Sequence, residues 1–135
     1  MHFNNKTIQE LVIRDHSISD RGVTNICQAL EHNSTLTSLD LPVNPLITST
    51  SGQALSHLLL NNSSLVKLDL SYTSLSTESI LLILQSLMDN KKIRTLWLDK
   101  RHKEICINTY PNYHLIEDRV YWDSDSDSDW SLDSD

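Results

Sequence analysis

At 135 residues the chain is one domain's worth of protein, and with 39% hydrophobic but only 6% aromatic residues its core must be built from leucine and isoleucine. Two Gly and three Pro argue against a loop-rich or β-sandwich design. The formal charge of −7 is uneven: residues 123–135 hold six Asp and no base, the rest carries 12 acids against 11 bases, and general attraction to nucleic acid is not expected.

The first residues, Met1-His2-Phe3-Asn4-Asn5-Lys6, contain no apolar run and do not read as a secretory signal. No stretch approaches the ~18 apolar residues of a membrane span. Asn5, Asn33, Asn61 and Asn62 head glycosylation sequons, read here as turn residues. Cys27 and Cys106 have no paired spacing, which fits a reducing compartment, the cytoplasm first and the nucleus second.

A repeat starts almost at once. Ile8, Leu11, Ile13, His16 and Ile18 are spaced as a short strand followed by a turn. Val23, Ile26, Ala29 and Leu30 then fall on one helix face, and His32-Asn33-Ser34-Thr35 forms a polar turn. Leu36, Leu39, Leu41, Asn44 and Leu46 repeat the strand and turn as L-x-x-L-x-L-x-x-N-x-L. The helix pattern returns in Ala54, Leu55, Leu58 and Leu59, ending at Asn61-Asn62-Ser63-Ser64. A third unit reads Leu65, Leu68, Leu70, Thr73 and Leu75, then Ile80, Ile83, Leu84 and Leu87, ending at Asp89-Asn90-Lys91-Lys92. A fourth begins as Ile93, Leu96 and Leu98 and breaks at Arg101 and Lys103. The units start 28, 29 and 28 residues apart. Asp20, Ser51 and Thr77 are the expected helix N-caps, and asparagines at the helix ends suit a left-handed C-terminus.

One strand-turn-helix unit cannot bury its apolar face alone, so neighbours must stack into a solenoid with strands inside and helices outside. These residues resemble the ribonuclease-inhibitor subtype of leucine-rich repeats. The likeness rests on the 28–29 residue period, on Leu36-Thr37-Ser38-Leu39-Asp40-Leu41 and Leu65-Val66-Lys67-Leu68-Asp69-Leu70, and on the helix start Ser51-Gly52-Gln53-Ala54-Leu55. It covers roughly residues 5–100. Such repeats sit in ribonuclease inhibitors, in the C-terminal arrays of NOD-like receptors and in scaffolding proteins. The resemblance implies a right-handed α/β horseshoe of about four parallel strands, with strands near 8–13, 36–41, 65–70 and 93–98. It implies protein binding through the concave sheet; separately, the residues lead to the expectation of no catalysis, metal or cofactor. Two departures stand out: the asparagine column reads His16, Asn44, Thr73, Arg101, so the ladder of that column is largely lost, and the array is short.

Residues between the leucines face the concave side. They form the columns Glu10, Ser38, Lys67, Thr95 and Val12, Asp40, Asp69, Trp97, with Tyr72 just beyond the third strand. Asp40, Lys67, Asp69, Tyr72 and Trp97 are therefore the candidate partner-binding residues, since aromatic and charged groups on an exposed sheet are frequent binding hot spots. The bland alternative is that the C-terminal segment covers Trp97. Four strands ~4.8 Å apart and ~13 Å long present roughly 200 Å², well short of the ~800 Å² that one partner contributes to a standard interface. Loops or tail must contribute, or the chain ends a longer array, or it associates with itself.

Residues 99–122 break the pattern and are read as a C-terminal cap, with Cys106 in its core. The tail 123–135 is Ser/Asp low-complexity sequence, expected to be disordered. Ser124 and Ser126 have acids three residues on and fit acidophilic phosphorylation. Asp123, Asp125 and Asp127 open like a calcium loop, but Ser128 and Ser134 stand where Gly and Glu are required. Trp130 and Leu132 form an apolar anchor in an acidic context, the pattern of a linear motif. No phosphate loop, zinc helix or nucleophile elbow occurs. A non-catalytic interaction module follows. The alternative is a histone-binding chaperone, from the likeness of repeats plus acidic tail to the acidic leucine-rich nuclear phosphoproteins.

Overall fold

The computed structural model describes residues 8–123. Ser124, Ser126, Trp130 and Leu132 lie outside the described residues. Alternating leucines give short strands and the 3.6-residue patterns give helices. In order these are β1 (Glu10–Val12), α1 (Asp20–Leu30), β2 (Ser38–Asp40), β3 (Asn44–Thr48), α2 (Gly52–Asn61), β4 (Lys67–Asp69), β5 (Thr73–Ser74), α3 (Thr77–Asp89), β6 (Thr95–Asp99), α4 (Lys103–Thr109) and β7 (Val120–Asp123).

The main sheet runs β1-β2-β4-β6-β7, every pair parallel, so each connection crosses over through the helical layer. Leu11, Leu39, Leu68, Leu96 and Val120 stand in one register row. Leu39, Leu68 and Leu96 are fully buried against Ile26, Leu55 and Ile83 of the helices, in one continuous core. Burying each such side chain contributes about 1.5–3 kcal/mol, and that gain is available only once neighbouring units have stacked.

The sheet has five strands where four are expected. The fifth comes from the segment read as a cap, and it takes in Asp123, the first residue assigned to the tail. The step from Leu96 to Val120 is only 24 residues, because α4 is short. Cys106 and Ile116 are buried beneath this last unit.

The turn after β2 also departs from the spacing. Leu46, the expected core residue, is 59% exposed, and Ile47 is fully buried in its place. Asn44 to Ile47 is one residue longer than His16 to Ile18 or Thr73 to Leu75, which accounts for the single 29-residue period. The excess residue is absorbed as an irregularity between β3 and β5.

The helix-end asparagines do not adopt the left-handed conformation. Asn62 (φ −96°, ψ 131°) and Asn90 (φ −100°, ψ 122°) are extended, and each works through its side chain. Asn62 Nδ2 donates to Leu30 O (3.0 Å) and Asn33 O (3.3 Å), while its Oδ1 accepts from Ser64 N and Leu65 N. Asn90 repeats this one unit on, donating to Leu59 O (2.7 Å) and Asn62 O (3.4 Å) and accepting from Lys92 N and Ile93 N. Asn33 Oδ1 accepts from Thr35 N and Leu36 N. An asparagine ladder is therefore present, at the opposite corner from the column in which it is sought. Arg119 closes it, donating to Asn90 O, Ile93 O and Leu87 O.

The caps shift as well. Ser19 and Ser76, not Asp20 and Thr77, precede α1 and α3. Ser51 stands at the start of α2 without a side-chain cap bond, because a 3-10 turn capped by Thr48 comes first. Asp20 instead reaches into the next unit, accepting from Thr48 N (2.8 Å), Thr48 Oγ1 (2.6 Å) and Ser51 Oγ (2.5 Å). These hydrogen bonds outweigh the burial that opposes them and hold its carboxyl below the usual range.

Candidate functional site

The concave face is set by strand alternation: with the leucines turned inward, the residues between them must turn out. The register makes two rows across the sheet. One is Glu10, Ser38, Lys67, Thr95; the other is Val12, Asp40, Asp69, Trp97, Tyr121. The second row changes character along its length, from an exposed valine through two carboxylates to two aromatic rings. Trp97 and Tyr121 lie 5.1 Å apart between centroids, tilted by 33°. The C-terminal segment thus extends the face beside Trp97, which stays half-buried.

Lys67 Nζ lies 3.3 Å from Asp40 Oδ2. Asp40 is buried and also accepts from Ser38 Oγ at 3.3 Å. Asp69 accepts from Ser71 N (2.9 Å) and Ser71 Oγ (2.6 Å), both on Oδ1. Burial pushes its pKa up, and the Asp40 charge beside it adds to this against the lowering by Ser71 and Lys67. Asp40, Lys67, Asp69 and Trp97 are thus brought together.

Tyr72 is not part of that group. It lies past the end of β4 with φ 58°, on the rim, where its N–H donates to the Asp99 carboxylate. Asp15, His16 and Val43 also have positive φ, and these rim residues pair through His16 N to Val43 O (2.9 Å) and Val43 N to Ser71 O (3.0 Å). A positive φ is a genuine outlier for a β-branched residue such as Val43. Two open clefts lie along this rim. One, about 470 Å³, is lined by Tyr72, Lys100, Arg101 and Asp123 among others; the other, about 270 Å³, by Arg14, Val43, Asp69 and Tyr72.

Tyr121 and Asp123 are the residues that reading the sequence misses. The signal was there: Val120-Tyr121-Trp122-Asp123 matches Leu96-Trp97-Leu98-Asp99 in alternation and in the final acid. Cys27 and Cys106 are buried, their thiols pushed by burial to about 12 and about 11, so neither offers a thiolate near neutral pH. Among the described residues no cluster of His, Cys, Asp and Glu could hold a metal ion, and no helix is long and apolar enough to cross a membrane.

Residues 4–27 and 32–56 match the family described as Leucine Rich repeat. Over 99 residues, 73% of this chain, the sequence is 31% identical to the NACHT, LRR and PYD domains-containing protein 12 of Mus musculus. The chain is a leucine-rich-repeat protein. It spans 9% of the length of that mouse relative. The leucine-rich-repeat fold is shared with a tropomodulin C-terminal domain of Caenorhabditis elegans, at TM-score 0.71 and 15% identity over 89% of this chain and 76% of that one. It is shared too with leiomodin-1 actin-binding site 2, at TM-score 0.69 and 15% identity over 85% and 70% of the two chains. The 28–29 residue period remains consistent with the ribonuclease-inhibitor-like subtype. Stacked repeats of this kind present concave surfaces for other proteins, which makes a leucine-rich-repeat domain a protein-interaction module.

Proposed function

We propose that this leucine-rich-repeat protein is a non-catalytic module that holds a protein partner on its concave sheet face. The partner would contact Asp40, Lys67, Asp69 and Trp97, with Tyr121 added and Tyr72 at the rim. The observation that carries this is the second row, in which two carboxylates and two aromatic rings stand side by side, Asp40 buried, Asp69 and Trp97 half-buried and Tyr121 exposed. Five strands widen the face to ~19 Å, still below a standard interface, so the rim around Arg14, Val43 and Lys100 must share the contact. The match to a NOD-like-receptor-type relative supports an array of that kind. At 15% identity the likeness to leiomodin's actin-binding site brings over no actin-contacting residue.

The test is affinity capture with the full chain, with Trp97→Ala, and with a chain whose tail aspartates are changed to asparagine. The expected result is a specific protein captured by the full chain, lost with Trp97→Ala and kept when the tail is neutralised. Capture that survives Trp97→Ala and disappears with the tail change overturns the reading and favours histone-type binding through the tail, where Ser124, Ser126, Trp130 and Leu132 would act.

A further inference from the structure

The concave rows hold three carboxylates, Glu10, Asp40 and Asp69, against the single ammonium of Lys67. That ammonium sits on Asp40. Among the described residues only Ser71 bonds the Asp69 carboxyl group, both bonds falling on Oδ1. Among the described residues neither a hydrogen bond nor an ion pair reaches Oδ2. Beside Asp69, one strand over in the same row, stands the half-buried indole of Trp97, itself braced by Tyr121. A carboxylate with an unused oxygen next to a braced aromatic face calls for a flat cation.

We propose that the concave face receives an arginine side chain from its protein partner, with the guanidinium paired to Asp69 and laid against Trp97. This rests on the reading of the concave sheet as the interaction face. Arginine suits the place better than lysine for two physical reasons. Its planar fork meets a carboxylate edge with directed hydrogen bonds, and its weakly hydrated face stacks on an indole where an ammonium keeps its water. The cation also relieves the repulsion between Asp40 and Asp69, whose strands are neighbours.

The test uses the full, isotopically labelled chain and follows the Trp97 indole N–H by NMR, assigned by its absence in Trp97→Phe. The probes are acetyl-Gly-Arg-Gly-amide, its citrulline counterpart and its lysine counterpart. The arginine peptide should shift the Trp97 signal saturably. Citrulline, the neutral isostere, should bind about tenfold more weakly or worse, and lysine should fall between. Asp69→Asn, whose side-chain oxygen can still accept from Ser71, should keep the dispersed spectrum and bring arginine down to citrulline. Equal response to arginine and citrulline, no saturable shift, or undiminished binding by Asp69→Asn would each overturn the proposal. Should a captured partner be lost with Trp97→Ala while arginine and citrulline bind alike, the arginine falls and the interaction face stands. Should neither capture nor probe respond to Trp97, both fall.

Discussion

The solenoid has two polar corners, and they are built by opposite rules. At the helix-to-strand corner, Asn33, Asn62 and Asn90 keep the same residue in every unit, and each turns its amide onto the turn that follows. Asn62 and Asn90 also donate to carbonyls of the preceding unit. At the strand-to-helix corner the equivalent column is His16, Asn44, Thr73 and Arg101, and each position solves its problem differently. Asn44, fully buried, donates to Ile13 O (2.8 Å), Leu41 O and Pro42 O. The Thr73 hydroxyl donates backward to Leu70 O (2.9 Å), within its own unit, and Arg101 reaches Thr73 O (2.7 Å) from a largely exposed side chain. Both corners end in an arginine, but Arg119 ties three carbonyls and Arg101 one. One corner repeats a single bonding pattern and the other changes it from unit to unit, and the varied corner forms the rim of the concave face.

The sharpest break of this contrast lies in the irregular turn. Ile47→Ala should cost about 2–5 kcal/mol, the price of a cavity in the core, whereas Leu46→Ala should stay within about 0.5 kcal/mol. Urea midpoints at unchanged slope decide it, and equal losses would mean that the inserted residue lies elsewhere. Next come the corners themselves. Asn62→Ala strands buried backbone groups of two units and should cost about 2–4 kcal/mol, against about 1 kcal/mol for Thr73→Val. Arg119→Met should likewise exceed Arg101→Met, and thermal unfolding of the four variants ranks them. The smallest effect is on pH. Burial, and then the Arg101 charge, hold His102 below its ordinary 6.5. Its ring bonds Thr77 Oγ1 (2.9 Å) and receives Arg101 Nε–H (3.2 Å). The unfolded chain therefore takes up this proton first on acidification. Stability from His102 is complete above pH 6.5, and it declines as pH falls from there to the lower folded value. His102→Gln should flatten that part of the profile between pH 8 and 5; an unchanged slope would exonerate the histidine.

The framework was legible wherever one residue's chemistry decided its place. Leu39, Leu68 and Leu96 alternate with polar residues, and alternation alone assigns them to the inner face. The columns with Asp40, Asp69 and Trp97 followed from the same period. Leu46 was misread because the motif counts residues from Asn44, while burial is decided by the geometry at which the chain rejoins the helix layer. The asparagine ladder was sought in the column the repeat motif names. Asn62 and Asn90 do end their helices, with extended backbone, but their cross-unit bonds were not legible because a side chain's partner 28 or more residues away is not visible locally. Tyr121 escaped because its strand follows a shortened unit.

The amino-acid order by itself determined the repeat, the inward leucines and the outward rows, because periodic apolar spacing has one way to be buried. Only the tertiary structure decided that a fifth strand joins the sheet, that Tyr121 braces Trp97 and that, among the described residues, nothing engages Asp69 Oδ2. Those are relations between units, set by how neighbouring strands and turns pack, and no single unit encodes them.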